Sequence, residues 1–320
     1  RGDGRGVEIF TGVTSNPHLS TIEKGYQFFE KSGVDSLVGL GGGSVIDATK
    51  AIGLCLANEE SDIVALNEQS EDLETSLPFF ALPTTSGTGS EVDYWAVISR
   101  PETNEKLSIG NPQMAPLTAI VDPELTVTLP SELTFFTGID AFSHALEAFF
   151  SSSSNKLSDM MALKAMELVL KSLETAVNQG DYLPARGDMA LASTLAGAAM
   201  QHVGLGLIHA MSHQVSGFYD TNHGLANALL LPNVLEFNRE EVPKKTRTLE
   251  KRLNGNILEK IKELLDIRDL SDYRVSVKEE DLPELVNRAI NNVNAETNPR
   301  PAGSDEVRGL YQASFVIEKS

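Results

Sequence analysis

In the first third of the chain, short apolar runs alternate with stretches of helical spacing. Val7–Phe10 reads as a strand, Thr21–Lys31 as an amphipathic helix, Ser36–Leu40 as a strand running into glycines, and Val45–Leu56 as a helix. This alternation predicts a parallel sheet, with function at the carboxyl ends of its strands. Residues 59–75 hold seven acidic and no basic residues, which predicts an exposed connection. The strand Phe79–Leu82 leads into Pro83–Ser90 (PTTSGTGS), too rich in Gly, Ser and Thr for a helix interior. Tyr94–Ser99 and Ala119–Val121 read as further strands, with a polar hairpin near Pro101–Lys106.

After Asp122-Pro123 the texture changes, and from Ser131 onward nearly every segment has helical spacing. Ala141–Phe150, Ser158–Asn178, Ala185–Val203 and Gly206–Gly217 are the clearest helices. Lys244–Lys262 is broken by Asn254-Gly255-Asn256, which predicts two helices there, and no internal repeat is visible. The pattern predicts an α/β domain over residues 1–126 and an all-helical domain over 127–320.

Composition narrows the partners. With 41% hydrophobic residues the chain can build real cores, and 26 Lys+Arg against 45 Asp+Glu leave a net charge of −19. That charge repels phosphate backbones and anionic head groups, so neither nucleic acid nor a membrane surface is an expected partner. No apolar run approaches the length of a membrane span. The single cysteine, Cys55, sits among apolar residues and reads as a small buried hydrophobe, which together with the absence of a disulfide framework suggests a reducing, cytoplasmic setting.

Five of the six histidines fall in the helical half. Asp140 and His144 stand four apart, on one helix face, and can offer an oxygen and an imidazole nitrogen to one cation. A lone pair of this kind is more often a helix-surface hydrogen bond. In GLGLIHAMSHQVSGFYDTNHG, however, His209 and His213 are again four apart, Gly217 can end their helix, and His223 follows in a loop. Three histidines within fifteen residues are hard to explain as packing. Imidazoles beside a carboxylate suit zinc or ferrous iron better than magnesium or calcium, so a mononuclear metal site is expected, with His213 and His223 as rival ligands on spacing alone.

The second constellation is LVGLGGGSVIDATK, where Gly41, Gly42, Gly43 and Ser44 lie between a strand and a helix. Glycines let backbone approach a phosphate, and the free N–H groups of a helix start bind its charge. The pattern is neither a Walker loop nor G-x-G-x-x-G, and a tight structural turn accounts for it equally well. A second turn over Thr84–Gly89 adds hydroxyls, and two such turns after strands of one sheet favour a nucleotide.

Together, GGGSVIDATK, PTTSGTGSEV, GIDAFSHALEAF and GLIHAMSHQVSGFYDTNHGLANALLLP resemble the iron-containing, or group III, alcohol dehydrogenase family. NPHLS, IVDPELTVTLPSELT and TNPRPA extend the likeness over almost the whole chain. The resemblance implies the dehydroquinate synthase-like fold, an α/β dinucleotide-binding domain followed by an all-helical domain with the active site between them. It also implies oxidation of a primary alcohol or small diol to an aldehyde, with hydride passing to NAD or NADP. Carried over, the metal ligands fall on Asp140, His144, His209 and His223, for Fe2+, Zn2+ or another divalent ion. His213 falls beside the nicotinamide; Gly42, Gly43 and Ser44 fall on the pyrophosphate turn, with Asp47 close by. Asn16, Thr84, Thr85, Thr88, Lys106 and Thr126 fall on further dinucleotide positions, and His18 and His202 on none. A homo-oligomer, in the simplest case a dimer, is the expected assembly.

Family members carry a further strand–helix unit, on the order of 30 residues, ahead of the stretch resembling VEIFTGVTSNP, which here starts near residue 7. Part of the dinucleotide domain is therefore expected upstream of residue 1, and the choice between NAD and NADP is left open. The region after Asn238 is short, and Asp93 and Trp95 depart from the residues expected along the cleft. A zinc-dependent glycerol-type dehydrogenase, a sugar-phosphate cyclase and a non-catalytic metal-binding fragment are the alternatives. Cyclases need several Lys and Arg, and residues 140–150 and 205–225 contain none.

Overall fold

The computed structural model describes residues 6–68, 73 and 76–319. Helix α1 (Leu19–Phe29) precedes strand β1 (Leu37–Gly41), and helix α2 (Gly43–Ala57) starts two residues after that strand ends. A short helix, α3 (Ile63–Glu68), leads towards strand β2 (Phe79–Pro83). An antiparallel hairpin follows, β3 (Trp95–Arg100) with β4 (Glu105–Gly110), and then strand β5 (Thr118–Ala119).

The sheet is parallel, in the order β1-β2-β5. Its alternation is that of strands covered on one side: Leu37, Phe79 and Ala81 are buried, while Val38 and Leu40 are 64% and 55% exposed. Register matters most at the carboxyl end. Gly41 pairs with Pro83, so both strands end level, and the amide of Thr84 donates to the carbonyl of Gly41 at 2.9 Å. The glycine turn and the Thr84–Gly89 turn thus leave the sheet side by side. A Cβ built on Gly43 would stand 2.5 Å from Thr88 Cγ2, so the turns meet with no room for a side chain.

The second half is built around α4 (Ser131–Phe150), which is buried on every side: from Thr134 to Phe150 only Thr137 escapes burial. The helices α5 (Lys156–Asn178), α6 (Leu183–Val203), α7 (Leu207–Tyr219) and α8 (His223–Arg239) follow; α5, α6 and α8 pack against α4, and α7 packs against α8. Then come α9 (Pro243–Leu253), α10 (Ile257–Leu265), β6 (Ser276–Lys278), α11 (Leu282–Ile290), α12 (Ser304–Ser314) and β7 (Val316–Glu318). Apolar side chains from most of these helices join α4 in one core that includes Phe142, Leu173, Leu230 and Tyr311. Among the described residues no single helix is long and apolar enough to cross a membrane.

Several expectations are corrected. Val7–Phe10 has no strand partner among the described residues; Val7 and Ile9 are exposed, and Phe10 instead packs on Phe28 and Phe29. Part of the acidic connection is helical, because the Asp62 carboxylate accepts from the amides of Val64 and Ala65 and caps α3, which buries Ile63 and Leu66. The remainder of that connection, at 69–72, 74 and 75, lies outside the described residues. Gly217 does not end its helix: α7 runs on to Tyr219 and stops at Asp220, whose φ is 49°. His223 is not in a loop but opens α8, capped by Asn222, whose side chain accepts from the amide of Leu225. The second half is helical apart from the parallel pair β6–β7. Cys55 is fully buried, as read, and burial pushes its thiol up to about 12.

Gly43→Val inserts a branched side chain against Thr88. The substitution is expected to lower the unfolding free energy by about 1–3 kcal/mol, the usual cost of overpacking, read from urea denaturation.

Candidate active site

Three helices deliver the histidines. Asp140 and His144 sit one turn apart on α4, His209 lies in the first turn of α7, and His223 is the first residue of α8. Asp140 Oδ1 stands 3.5 Å from His209 Nε2 and 3.5 Å from His223 Nε2. Metal–ligand bonds of about 2.0–2.2 Å in a tetrahedral site separate ligand atoms by roughly 3.3–3.6 Å, so these spacings suit one shared cation. Asp140, His209 and His223 form the group of potential ligand atoms gathered at one point. The ring of His144 stacks on that of His209 at 4.3 Å and borders the group without being part of it.

Close backbone contact puts His223 there. A Cβ on Gly224 would lie 2.2 Å from the carbonyl oxygen of Phe136, so only glycine lets the start of α8 press against α4. The ring nitrogen of His209 that points away from the centre is held. Glu147, one turn beyond His144, accepts from His209 Nδ1 at 2.6 Å and from the Ile208 amide at 2.6 Å, which turns His209 Nε2 towards Asp140. His144 Nδ1 lies 3.7 Å from Asp140 Oδ1 and donates to the carbonyl of Gly87 at 3.2 Å. The amide nitrogen of Asn227 lies 2.9 Å from Asp140 Oδ1 and within 3.4 Å of both His209 Nε2 and His223 Nε2. Nearby, His213 Nδ1, His223 Nδ1 and Asn227 Oδ1 are buried without a partner among the described residues. Converging lone pairs, with a single amide among them and orphaned polar atoms around them, are a donor set that a divalent cation fits.

Charge follows the same logic. Burial alone would raise Asp140, but His144, His223 and His209 outweigh it and hold the carboxyl below the usual carboxylate range. Burial lowers His144 to about 4 and His223 to about 3 against the pull of Asp140, so both are neutral near pH 7. His209 goes the other way: burial opposes its charge, yet Asp140 and Glu147 raise it to about 9. His213, one turn along α7 with its ring 5.2 Å from that of His223, is driven well below the ordinary range by burial and by His223 and His209.

The proposed dinucleotide residues fall into three sets. Gly42, Gly43 and Ser44 form the start of α2, which has no side-chain cap and so leaves its first amides free for an anion. Thr85 and Thr88 face Gly42 and Gly43 across the join of the two turns, with Thr84 hydrogen-bonded to β1. In the second set, Lys106 donates to Asn16 Oδ1 at 2.6 Å, and Asn16 donates on to Asp220 at 2.7 Å, a chain from β4 to the loop between His213 and His223. Burial lowers Lys106 to about 8 against the pull of Asp220, Asp47 and Asp140. The third set is turned inward: the carboxylate of Asp47 accepts from Ser90 and from the amide of Val97, and Thr126 is buried with its hydroxyl donated to Pro123. His202 is exposed, and His18 precedes α1 beside Ser99.

A family model described as iron-containing alcohol dehydrogenase matches residues 1–123, and one for the C-terminal part of the Fe-containing alcohol dehydrogenase family matches 134–315. The chain belongs to the iron-containing alcohol dehydrogenase family. The resemblance read from its motifs is thereby borne out, and the chain is an oxidoreductase of the alcohol dehydrogenase type. It is 37% identical to a 1-propanol dehydrogenase of Salmonella typhimurium, over 96% of this chain and 85% of that protein. A lactaldehyde reductase of Escherichia coli is 34% identical, over 96% and 84%. Among solved structures, an alcohol dehydrogenase from Oenococcus oeni superposes with a TM-score of 0.90 at 32% identity, covering 96% of this chain and 84% of that one. A sulfoacetaldehyde reductase from Bifidobacterium kashiwanohense, solved with NAD+, superposes at 0.85 and 29% identity, covering 96% and 83%.

Sequence reading missed Glu147, Asn227 and the Gly87 carbonyl. Glu147 and Asn227 carried a signal, since Glu147 is seven residues after Asp140 on one helix face and Asn227 four after His223; a backbone carbonyl carries none.

Two outcomes follow from this geometry. Because Asp140 and Glu147 raise His209 to about 9 against burial, a cation must displace one proton at lower pH. Affinity for Co2+, measured by chelator competition, should rise about tenfold per pH unit from pH 6 and flatten above pH 9. Glu147→Gln keeps the shape but removes the charge that holds His209, and should weaken Co2+ binding about 10–100-fold.

Proposed function

We propose that the chain catalyses the reversible oxidation of a primary alcohol or small diol to the aldehyde, passing hydride to NAD, with a divalent first-row ion held by Asp140, His144, His209 and His223. The observation that carries this reading is the convergence of Asp140 Oδ1, His209 Nε2 and His223 Nε2 at separations suited to one ion. An ion bound there would supply Lewis acidity, lowering the pKa of an alcohol oxygen or polarising a carbonyl. The mix of one carboxylate and three imidazoles suits iron or zinc.

The chain's own residues do the rest. The bare start of α2 and the hydroxyls of Thr85 and Thr88 offer a seat for the pyrophosphate, and Lys106, on β4, adds a cation. His213, held neutral by burial, suits a fixed orienting contact with the nicotinamide better than storage of a proton. NAD is favoured over NADP because one similar structure was solved with NAD+ and a methanol dehydrogenase of Bacillus methanolicus, 35% identical, is NAD-dependent. Small primary alcohols and diols are favoured because similar enzymes act on 1-propanol, 1,3-propanediol and lactaldehyde.

The test pairs two variants on protein purified without chelator and assayed for NADH formation with ethanol, 1-propanol and 1,3-propanediol. His223→Ala should remove most bound metal and activity together. His213→Ala should keep metal near the wild-type level by elemental analysis while turnover falls at least tenfold. Full metal in the His223 variant would overturn the ligand set, and no NADH from any of the three alcohols with iron restored would overturn the reaction.

A further inference from the structure

Lys50 lies on α2, seven residues beyond Gly43, and is fully buried. A buried ammonium has three hydrogens to place, and here each finds an acceptor: Ser90 Oγ at 2.7 Å, Asp93 Oδ1 at 2.6 Å and the Trp95 carbonyl at 2.7 Å. All three belong to one stretch of six residues. Asp93, itself 4% exposed, also accepts from the Trp95 amide at 2.8 Å, and Asp47, one turn before Lys50, takes the Ser90 hydroxyl and the Val97 amide. The helix that starts at the glycine turn is therefore clipped to residues 90–97 by a desolvated ion pair.

The upstream end of that stretch reaches the other half of the molecule. Gly87 gives its carbonyl to His144, Glu91 accepts from the Thr194 hydroxyl on α6 at 2.7 Å, and Gly89 abuts Gly197 on the same helix. Thr84, Thr85 and Thr88, which border the glycine turn, belong to this same loop. One segment thus carries the hydroxyls of the dinucleotide seat, the clip to α2 and the carbonyl that orients His144.

We propose that Lys50 and Asp93 are positioning residues that couple the two sites: by fixing residues 84–95 against α2, they make a dinucleotide seated on the turns hold the Gly87 carbonyl where His144 is oriented for metal. The proposal rests on the function proposed above. Coupling between two binding equilibria is reciprocal, so each ligand tightens the other by one factor. Neither residue needs to touch either ligand, and removing one alone would strand its partner's charge in the interior.

The test titrates Co2+ into the metal-free full chain with and without saturating NAD, reading the visible absorption of bound cobalt. In the wild type NAD should tighten Co2+ binding at least fivefold. In Lys50→Met/Asp93→Leu, which removes both charges together, that factor should fall below twofold, while Co2+ affinity without NAD and the melting temperature stay near wild type. If the double variant does not fold, Asp93→Asn takes its place, since it keeps an acceptor for Lys50 and leaves Asp47, 3.8 Å away, as counter-charge, with a factor reduced at least twofold as the expected result. An undiminished factor in a folded variant overturns the proposal. So does a factor of one in a wild type that binds both ligands, whereas a wild type that binds neither Co2+ nor NAD overturns the proposed function as well.

Discussion

A carboxylate in the middle of a helix that is buried on every side must be compensated, and Asp140 is that carboxylate. Its place on α4 fixes the remainder of the site, because the compensating groups have to be brought to it from other helices. One imidazole comes from the same helix, another from α7, and a third from the start of α8, pressed in by the bare backbone of Gly224. Asp140 is itself only 3% exposed, which removes water as an alternative partner. Core and candidate site are thus one structure here, and the site's side chains inherit the rigidity of the packing.

The glycine turn and the Thr84–Gly89 turn obey a different constraint, the register of a parallel sheet. Pairing of Gly41 with Pro83 ends two strands at one level, and both polar turns then emerge together. A slip of one residue would leave each turn intact and take away their meeting. Composition of the turns sets what they can bind, while the ladder behind them sets whether they bind it jointly.

Much of this was legible in the sequence. The parallel sheet, the helical second half and the four motifs were readable because each rests on local periodicity or on short fixed spacings. The misreadings share a cause. Val7–Phe10 has the alternation of a strand, but pairing depends on a neighbour that local pattern does not reveal. Gly217 looked like a helix end, yet its missing side chain serves a contact with the Asn104 carbonyl in the β3–β4 hairpin turn. The acidic run hid α3 because charge masked the two apolar residues, Ile63 and Leu66, that bury. Lys50 gave no sign of its role, since its partners lie forty residues and more away in sequence. Asp47 and Thr126 occupy expected positions with their polar atoms already engaged inside the fold.

Cys55, buried against α2's neighbours, has a consequence for handling the molecule. Burial pushes its thiol up to about 12, so the reactive thiolate is scarce near neutral pH, and the core shields the sulfur. Maleimides and oxidants therefore have no native sulfhydryl to attack. A cysteine introduced at a surface position would be uniquely reactive, so a single fluorophore can be attached without first removing the native thiol.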